Sequence, residues 1–151
     1  GTVKQFYSDI IWGDIDYMFI DCPPGTGDVP LTIFQSIPID GVVVVTTPQD
    51  LVSVIVGKAV HMADSMNIPV IGMIENMSYF ICPDCNNKHY IFGKSQLEQV
   101  IRDLYIGHAI RLPINPSLAG LMDRGEIEHM EANADLQEFA DLISTFDPDK
   151  Y

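Results

Sequence analysis

Asp21-Cys22-Pro23-Pro24-Gly25-Thr26-Gly27-Asp28 joins a strand-like apolar segment, Tyr17-Met18-Phe19-Ile20, to a helix-like one running from Pro30 to Ile37. A carboxylate therefore falls where a buried strand is expected to end, followed at once by a turn with two prolines and two glycines. In open α/β sheets ligands bind beyond the carboxyl ends of the strands. An aspartate there suits water-mediated Mg²⁺ binding, and glycine N–H groups can approach a phosphate closely. The competing reading is a strand-to-helix loop with a capping aspartate, and the local residues do not choose between the two.

The segments around this loop set the fold class. Val3 to Ile11 carries Val3, Phe6, Tyr7, Ile10 and Ile11 at helical spacing, and Trp12-Gly13-Asp14 ends it. Tyr17 to Cys22 reads as a strand, and Gly41 to Thr47 as a second, β-branched and apolar on both faces. Such a run predicts a parallel strand covered by helices on both sides. Leu51 to Met66 follows as a helix capped by Asp50, and Pro69 to Glu75 as a third strand. Strand, helix, strand, helix, strand spells two βαβ crossovers, hence α/β with a mainly parallel sheet flanked by helices. Ser78 to Gly93 breaks that rhythm. It reads as a cysteine-bearing loop or small hairpin returning through Tyr90-Ile91-Phe92. Beyond it, a helix over 95–104 opens with Ser95 and Glu98 in capping-box spacing. A strand over 106–112, a short helix over 117–123 ended by Gly125, and a final helix over 132–146 complete the chain. No repeat or linker interrupts it, so 1–151 is expected to be one domain.

Composition narrows the function. The 151 residues are 47% hydrophobic and 19% charged, the balance of a folded protein with a real core. Net charge is −13, and nine of the 21 acidic residues lie at or beyond Asp123, where only Arg124 and Lys150 are basic. That acidic end argues against nucleic acid or an anionic membrane as partner. The longest apolar runs are strand-sized, and no secretory h-region follows Gly1-Thr2-Val3-Lys4. Three cysteines make no disulfide framework and fit a reducing, cytoplasmic setting. The chain starts without methionine, which is the mark expected of a processed, trimmed or partial chain.

Cys82-Pro83-Asp84-Cys85 is the sharpest chemical feature. Two thiolates at this spacing can hold one face of a metal or iron–sulfur centre. A complete site wants four ligands; His89 offers a third, and a two-fold dimer would bring two pairs together. A redox pair or two structural cysteines are the alternatives. Gly93-Lys94-Ser95 imitates the end of a phosphate-binding loop, but Lys88 stands where the first glycine belongs, and a capping box explains Ser95 better. Asn76, at the expected carboxyl end of the third strand, carries an amide able to read a purine edge, or simply makes a turn.

Taken together, Trp12-Gly13-Asp14-Ile15-Asp16-Tyr17, Ile20-Asp21, Pro23-Pro24-Gly25-Thr26-Gly27-Asp28, Val45 to Asp50, Ile74-Glu75-Asn76-Met77-Ser78, Cys82-Pro83-Asp84-Cys85 and Ile91-Phe92-Gly93 resemble the Mrp/ApbC-type ATPases. These are iron–sulfur cluster carriers of the MinD-like (SIMIBI), deviant Walker A class of P-loop NTPases. The resemblance implies that Asp21 orders Mg²⁺ through water, that Gly25, Thr26 and Gly27 form the turn sensing the γ-phosphate, and that Asp28 orients a loop N–H or a water. It further implies that Asn76 recognises the base beside Pro113. Cys82 and Cys85 would bridge a [4Fe–4S] cluster between two protomers for delivery to apo iron–sulfur proteins. The family's glycine-rich Walker A loop has no counterpart in these residues, so the sequence reads as a C-terminal part of such an ATPase, incomplete at its N-terminus. ATP with Mg²⁺ is then expected only where that segment is supplied. A metal-binding module without nucleotide function and a MinD/ParA-like positioning ATPase are the rival readings.

Overall fold

The structure, a computed structural model, describes residues 2–49, 52–131 and 133–150. The proposed Asp50 cap, and the first residues expected in the helices over 51–66 and 132–146, lie outside the described residues. Six α-helices are described: α1 (Thr2–Ser8), α2 (Asp28–Ser36), α3 (Val52–Ser65), α4 (Leu97–Asp103), α5 (Pro116–Arg124) and α6 (Ala134–Ser144). The strands are β1 (Val42–Thr46), β2 (Val70–Ile81), β3 (Lys88–His89) and β4 (Ala109–Pro113).

β2 is the centre of the sheet. β1 and β4 pair with it in parallel on either side, and β3 folds back antiparallel on its far end. The expected β1–α3–β2 crossover forms, and β2–α4–β4 makes a further parallel crossover, whereas the one expected from 17–22 through α2 to β1 does not form among the described residues. Register fixes which side chains meet. Val44 stands beside Met73, and both face α3 and α4, where Val56, Val60, Leu97 and Ile106 close the main core. Each such side chain contributes about 1.5–3 kcal/mol when buried. A one-residue slip of β1 against β2 would turn Val44 away from the face on which Met73 is buried, so the pairing is strongly specified. On the opposite face Gly72 lets α6 approach. A Cβ there would stand 2.7 Å from the Phe139 ring and 2.9 Å from the His108 carbonyl oxygen.

Several boundaries are set by caps. α3 ends on Asn67 in the left-handed conformation, with Ile68 N–H donating to the Ala63 carbonyl at 2.9 Å. Asn115 caps α5 through its side-chain oxygen, which accepts from Ser117 and Leu118 N–H, and Gly125 ends that helix at φ 68°. Asn133 caps α6 by accepting from Leu136 N–H at 2.8 Å.

Four expectations are corrected. Tyr17 to Cys22 is not a strand: it is extended chain without ladder partners, and Phe19 is 76% exposed. An apolar segment becomes a strand only when a neighbour takes up its backbone groups, and no described strand pairs with this one. Helical cover over β1 is one-sided: Val44 is buried, while Val45 on the other face is 63% exposed. The hairpin returns through Lys88–His89 rather than through 90–92, because β2 runs six residues past Glu75, to Ile81. Ser95 and Glu98 do not form a capping box: the Ser95 hydroxyl accepts from Leu97 N–H, and Glu98 turns instead to Arg111.

A cysteine hairpin and a strand-end cleft as candidate sites

The hairpin at the end of β2 gathers the metal-ligating side chains. Phe80 lies opposite His89 and Ile81 opposite Lys88. Cys82 follows Phe80 by two residues, so it shares that face, and a diagonal cross-strand neighbour lies within reach of a long side chain. The turn brings Cys85 to the same place: Asn86 N–H donates to the Cys82 carbonyl at 2.9 Å and Cys82 N–H to the Asn87 carbonyl at 3.0 Å. Asn86 takes the left-handed conformation this tight reversal needs. The ligand atoms of Cys82, Cys85 and His89 all lie within 4.8 Å of one another, close enough for one ion to touch all three. Lys88 reaches back, its Nζ 4.2 Å from the centre of the Tyr79 ring.

The turn also tunes the thiols. The backbone N–H of Cys85, then that of Asp84, then the Cys85 thiol donate toward Cys82 Sγ, and together they hold its pKa below the ordinary thiol value. A thiolate so supported can serve as a metal ligand. Cys22 is the opposite case. Partial desolvation and, after it, the neighbouring Asp21 carboxylate push its thiol up. The three cysteines are free of disulfides.

The residues expected at the phosphate site are differently placed. Asp21 to Asp28 are all exposed, and nothing stands within 4 Å of where a Cβ on Gly25 or Gly27 would be. Gly25 has φ 90° and Gly27 leads into α2, whose first residue is Asp28. The turn is thus preformed but encloses no cradle. Asn76 is exposed at a break in β2, where its side-chain oxygen accepts from Met77 N–H at 2.9 Å. Pro113 ends β4 opposite Tyr79. Between the carboxyl end of β1 and α4 lies a cleft lined by Thr46, Thr47, Gln49, Glu75 and Leu97, among others. None of its lining residues comes from 21–28. Glu75, a carboxylate only 2% exposed on this cleft, is the functional candidate that sequence reasoning missed. A lone glutamate at a strand end carries no spacing pattern by which to find it.

Residues 1–146 match the family model of the NUBPL iron-transfer P-loop NTPases, ParA. The chain belongs to this family. Among curated relatives, the iron–sulfur cluster carrier protein of Methanocaldococcus jannaschii is 47% identical over 126 residues, which are 83% of this chain and 43% of that protein. The iron–sulfur cluster carrier protein of Methanococcus maripaludis is 40% identical over 147 residues, 96% of this chain and 50% of that one. The chain thus spans half or less of the length of these curated relatives. A solved nucleotide-binding protein of Archaeoglobus fulgidus, in complex with ADP, superposes with a TM-score of 0.80 at 37% identity. That match covers 97% of this chain and 57% of that one. This chain shares the α/β fold of a P-loop NTPase with that structure. Among the described residues, no helix is long and apolar enough to cross a membrane.

Proposed function

We propose that this chain is the cluster-bearing part of an iron–sulfur cluster carrier, and that Cys82 and Cys85 hold the cargo. One observation carries the reading: two cysteines at metal-ligand spacing on a projecting hairpin, with the Cys82 thiolate supported by the N–H groups of its own turn. A cubane wants four thiolates and each chain brings two, so the pairs of two chains face each other across a [4Fe–4S] cluster in a homodimer. Exposure suits release: Cys85 lies open to an apo client protein. The names of the relatives support the same role. The compartment we assign is the cytoplasm, where free thiols persist. The net charge of −13 disfavours nucleic acid and anionic membranes as partners.

We assign Asp21, Asp28, Gly25, Thr26 and Gly27 to the Mg²⁺ and phosphate side of a nucleotide site, and Asn76 and Pro113 to its base side. Bound ADP in the solved Archaeoglobus fulgidus protein supports that assignment. The exposed loop does not enclose phosphates by itself, and these 151 residues contain no Walker A sequence, so no hydrolytic step is assigned to them alone. With a phosphate cradle supplied, the nucleotide would act as a conformational switch on the cysteine face.

His89 favours a second reading, a metal-binding module without nucleotide function. Two thiolates and one imidazole make a three-ligand site for a single zinc-like ion, with one position left open. A positioning ATPase of the MinD/ParA type has no need of the cysteine pair. The experiment is anaerobic reconstitution with iron and sulfide. The carrier reading expects cluster absorbance that Cys82→Ala and Cys85→Ala each abolish and His89→Ala leaves in place. A stable zinc complex with no cluster uptake would favour the module instead.

A further inference from the structure

Glu75 carries a carboxyl group into the core side of the sheet, and its partners explain why that is tolerated. The Ser78 hydroxyl donates to its Oε2, the Ser95 hydroxyl donates to its Oε1 at 2.7 Å, and Arg111 Nε stands 3.7 Å from Oε2. Arg111 is fixed in turn by Glu98, at 3.0 Å. A buried carboxylate without such partners would cost several kcal/mol.

The position of the two serines is informative. Ser78 lies on β2 just before the cysteine hairpin, and Ser95 lies just after the chain returns from it. One carboxylate therefore grips both roots of the excursion. The Ser78 contact needs a special backbone, because residues three apart on a regular strand point to opposite faces. Here the β2–β4 ladder shifts between Glu75 and Tyr79, with Met77 in the left-handed conformation at φ 55°. That bulge turns Ser78, fully buried, back onto Glu75. Ser95 is equally committed. Its hydroxyl also accepts from Leu97 N–H at 3.1 Å and from Arg111 Nε at 3.3 Å, which ties the start of α4 to the same point. Because Glu75 also lines the strand-end cleft beside Thr46 and Thr47, the cleft and the hairpin share one side chain.

We infer that Glu75 is a positioning residue: it clamps the outgoing and returning roots of the cysteine hairpin and sets how that hairpin stands on the sheet. The purpose rests on reading the hairpin as metal-bearing, but the clamp does not, since it is measurable with no metal present.

Hydrogen exchange on the full chain tests it, with Ile114 N–H, which donates to the Tyr79 carbonyl at 2.7 Å at the hairpin root, as chief reporter. In Glu75→Ala the amides of 78–95 and Ile114 are expected to exchange about tenfold faster, which corresponds to about 1.4 kcal/mol, while those of Val43 to Val45 in β1 keep their rate. Glu75→Gln, which retains an oxygen for one hydroxyl, should restore most of the protection. Ser95→Ala, which removes no charge, should give a smaller increase in the same amides, and it serves where Glu75→Ala fails to fold. Unchanged exchange at the hairpin roots in both Glu75→Ala and Ser95→Ala would overturn the clamp. So would an equal rise in β1 and the hairpin, which would make Glu75 a general stabiliser of the sheet. Absence of cluster uptake by the unaltered chain would instead sink the carrier reading and leave the clamp standing.

Discussion

Cys82 and His89 face each other diagonally across the β2–β3 hairpin, and with Cys85 their ligand atoms lie within 4.8 Å. The antiparallel register creates this relationship: Phe80 opposite His89 leaves Cys82, two residues on, over the same face. A single chain therefore offers three side chains able to ligate a metal, one more than the proposed symmetric cluster bridge requires.

Cobalt(II) titration should separate the roles of the three. Cys82→Ala and Cys85→Ala are each expected to weaken the thiolate-to-metal charge-transfer absorbance, since one thiolate remains in each. His89→Ala should keep it but bind about tenfold more weakly, roughly 1.4 kcal/mol for one lost ligand of three. Equal affinity in His89→Ala would remove the imidazole from the site.

The two kinds of cysteine should titrate apart. Followed site by site in the unaltered chain, by mass spectrometry of alkylation rate against pH, Cys82 should reach its thiolate plateau at lower pH than an ordinary thiol and Cys22 at higher pH. Asp21→Asn should move the Cys22 midpoint down, since the aspartate is the second cause of its rise. The folded pKa of Cys82 is depressed, so its contribution to stability is present above the unfolded value and is lost as pH falls through the folded one. For Cys22, raised in the folded state, the contribution is present below the unfolded value and is lost as pH rises through the folded one.

Two glycines should respond in opposite directions to alanine. In Gly72→Ala the new methyl meets the Phe139 ring and a backbone carbonyl, and the carbonyl cannot swing aside. A loss of about 2–3 kcal/mol in urea unfolding is expected. Gly57, inside α3 with nothing within 4 Å of the added Cβ, should gain about 0.5–1 kcal/mol as alanine.

The parallel sheet was legible because β1, Val42-Val43-Val44-Val45-Thr46, is long, β-branched and followed by a helix-period segment. The caps at Asn133 and Gly125 were less so, and only the glycine stood out. The Cys82/Cys85 pair and the companion His89 could be read directly, since hairpin ligands lie near one another in sequence. The strand expected at Tyr17 to Cys22 could not be judged locally, because strands are made by neighbours. Glu75, Ser78, Ser95 and Arg111 were illegible for a related reason. Ser95 and Glu75 lie twenty positions apart, and a bulge at Met77 decides which way Ser78 points. Propensity does not report bulges.

Nucleotide turnover should be absent from these 151 residues alone. Asp21 to Asp28 stand exposed with no phosphate cradle around them, so a Mg²⁺–ATP assay is expected to give no rate above background. Clear hydrolysis that disappears in Asp21→Ala would show that the loop completes its own site.

Native mass spectrometry of the anaerobically reconstituted chain tests the central claim most directly. Two chains holding one [4Fe–4S] cluster, reverting to monomers when Cys82 or Cys85 is alanine, is the predicted result. A cluster retained on a monomer, or a species holding only a single metal ion per chain, would contradict it.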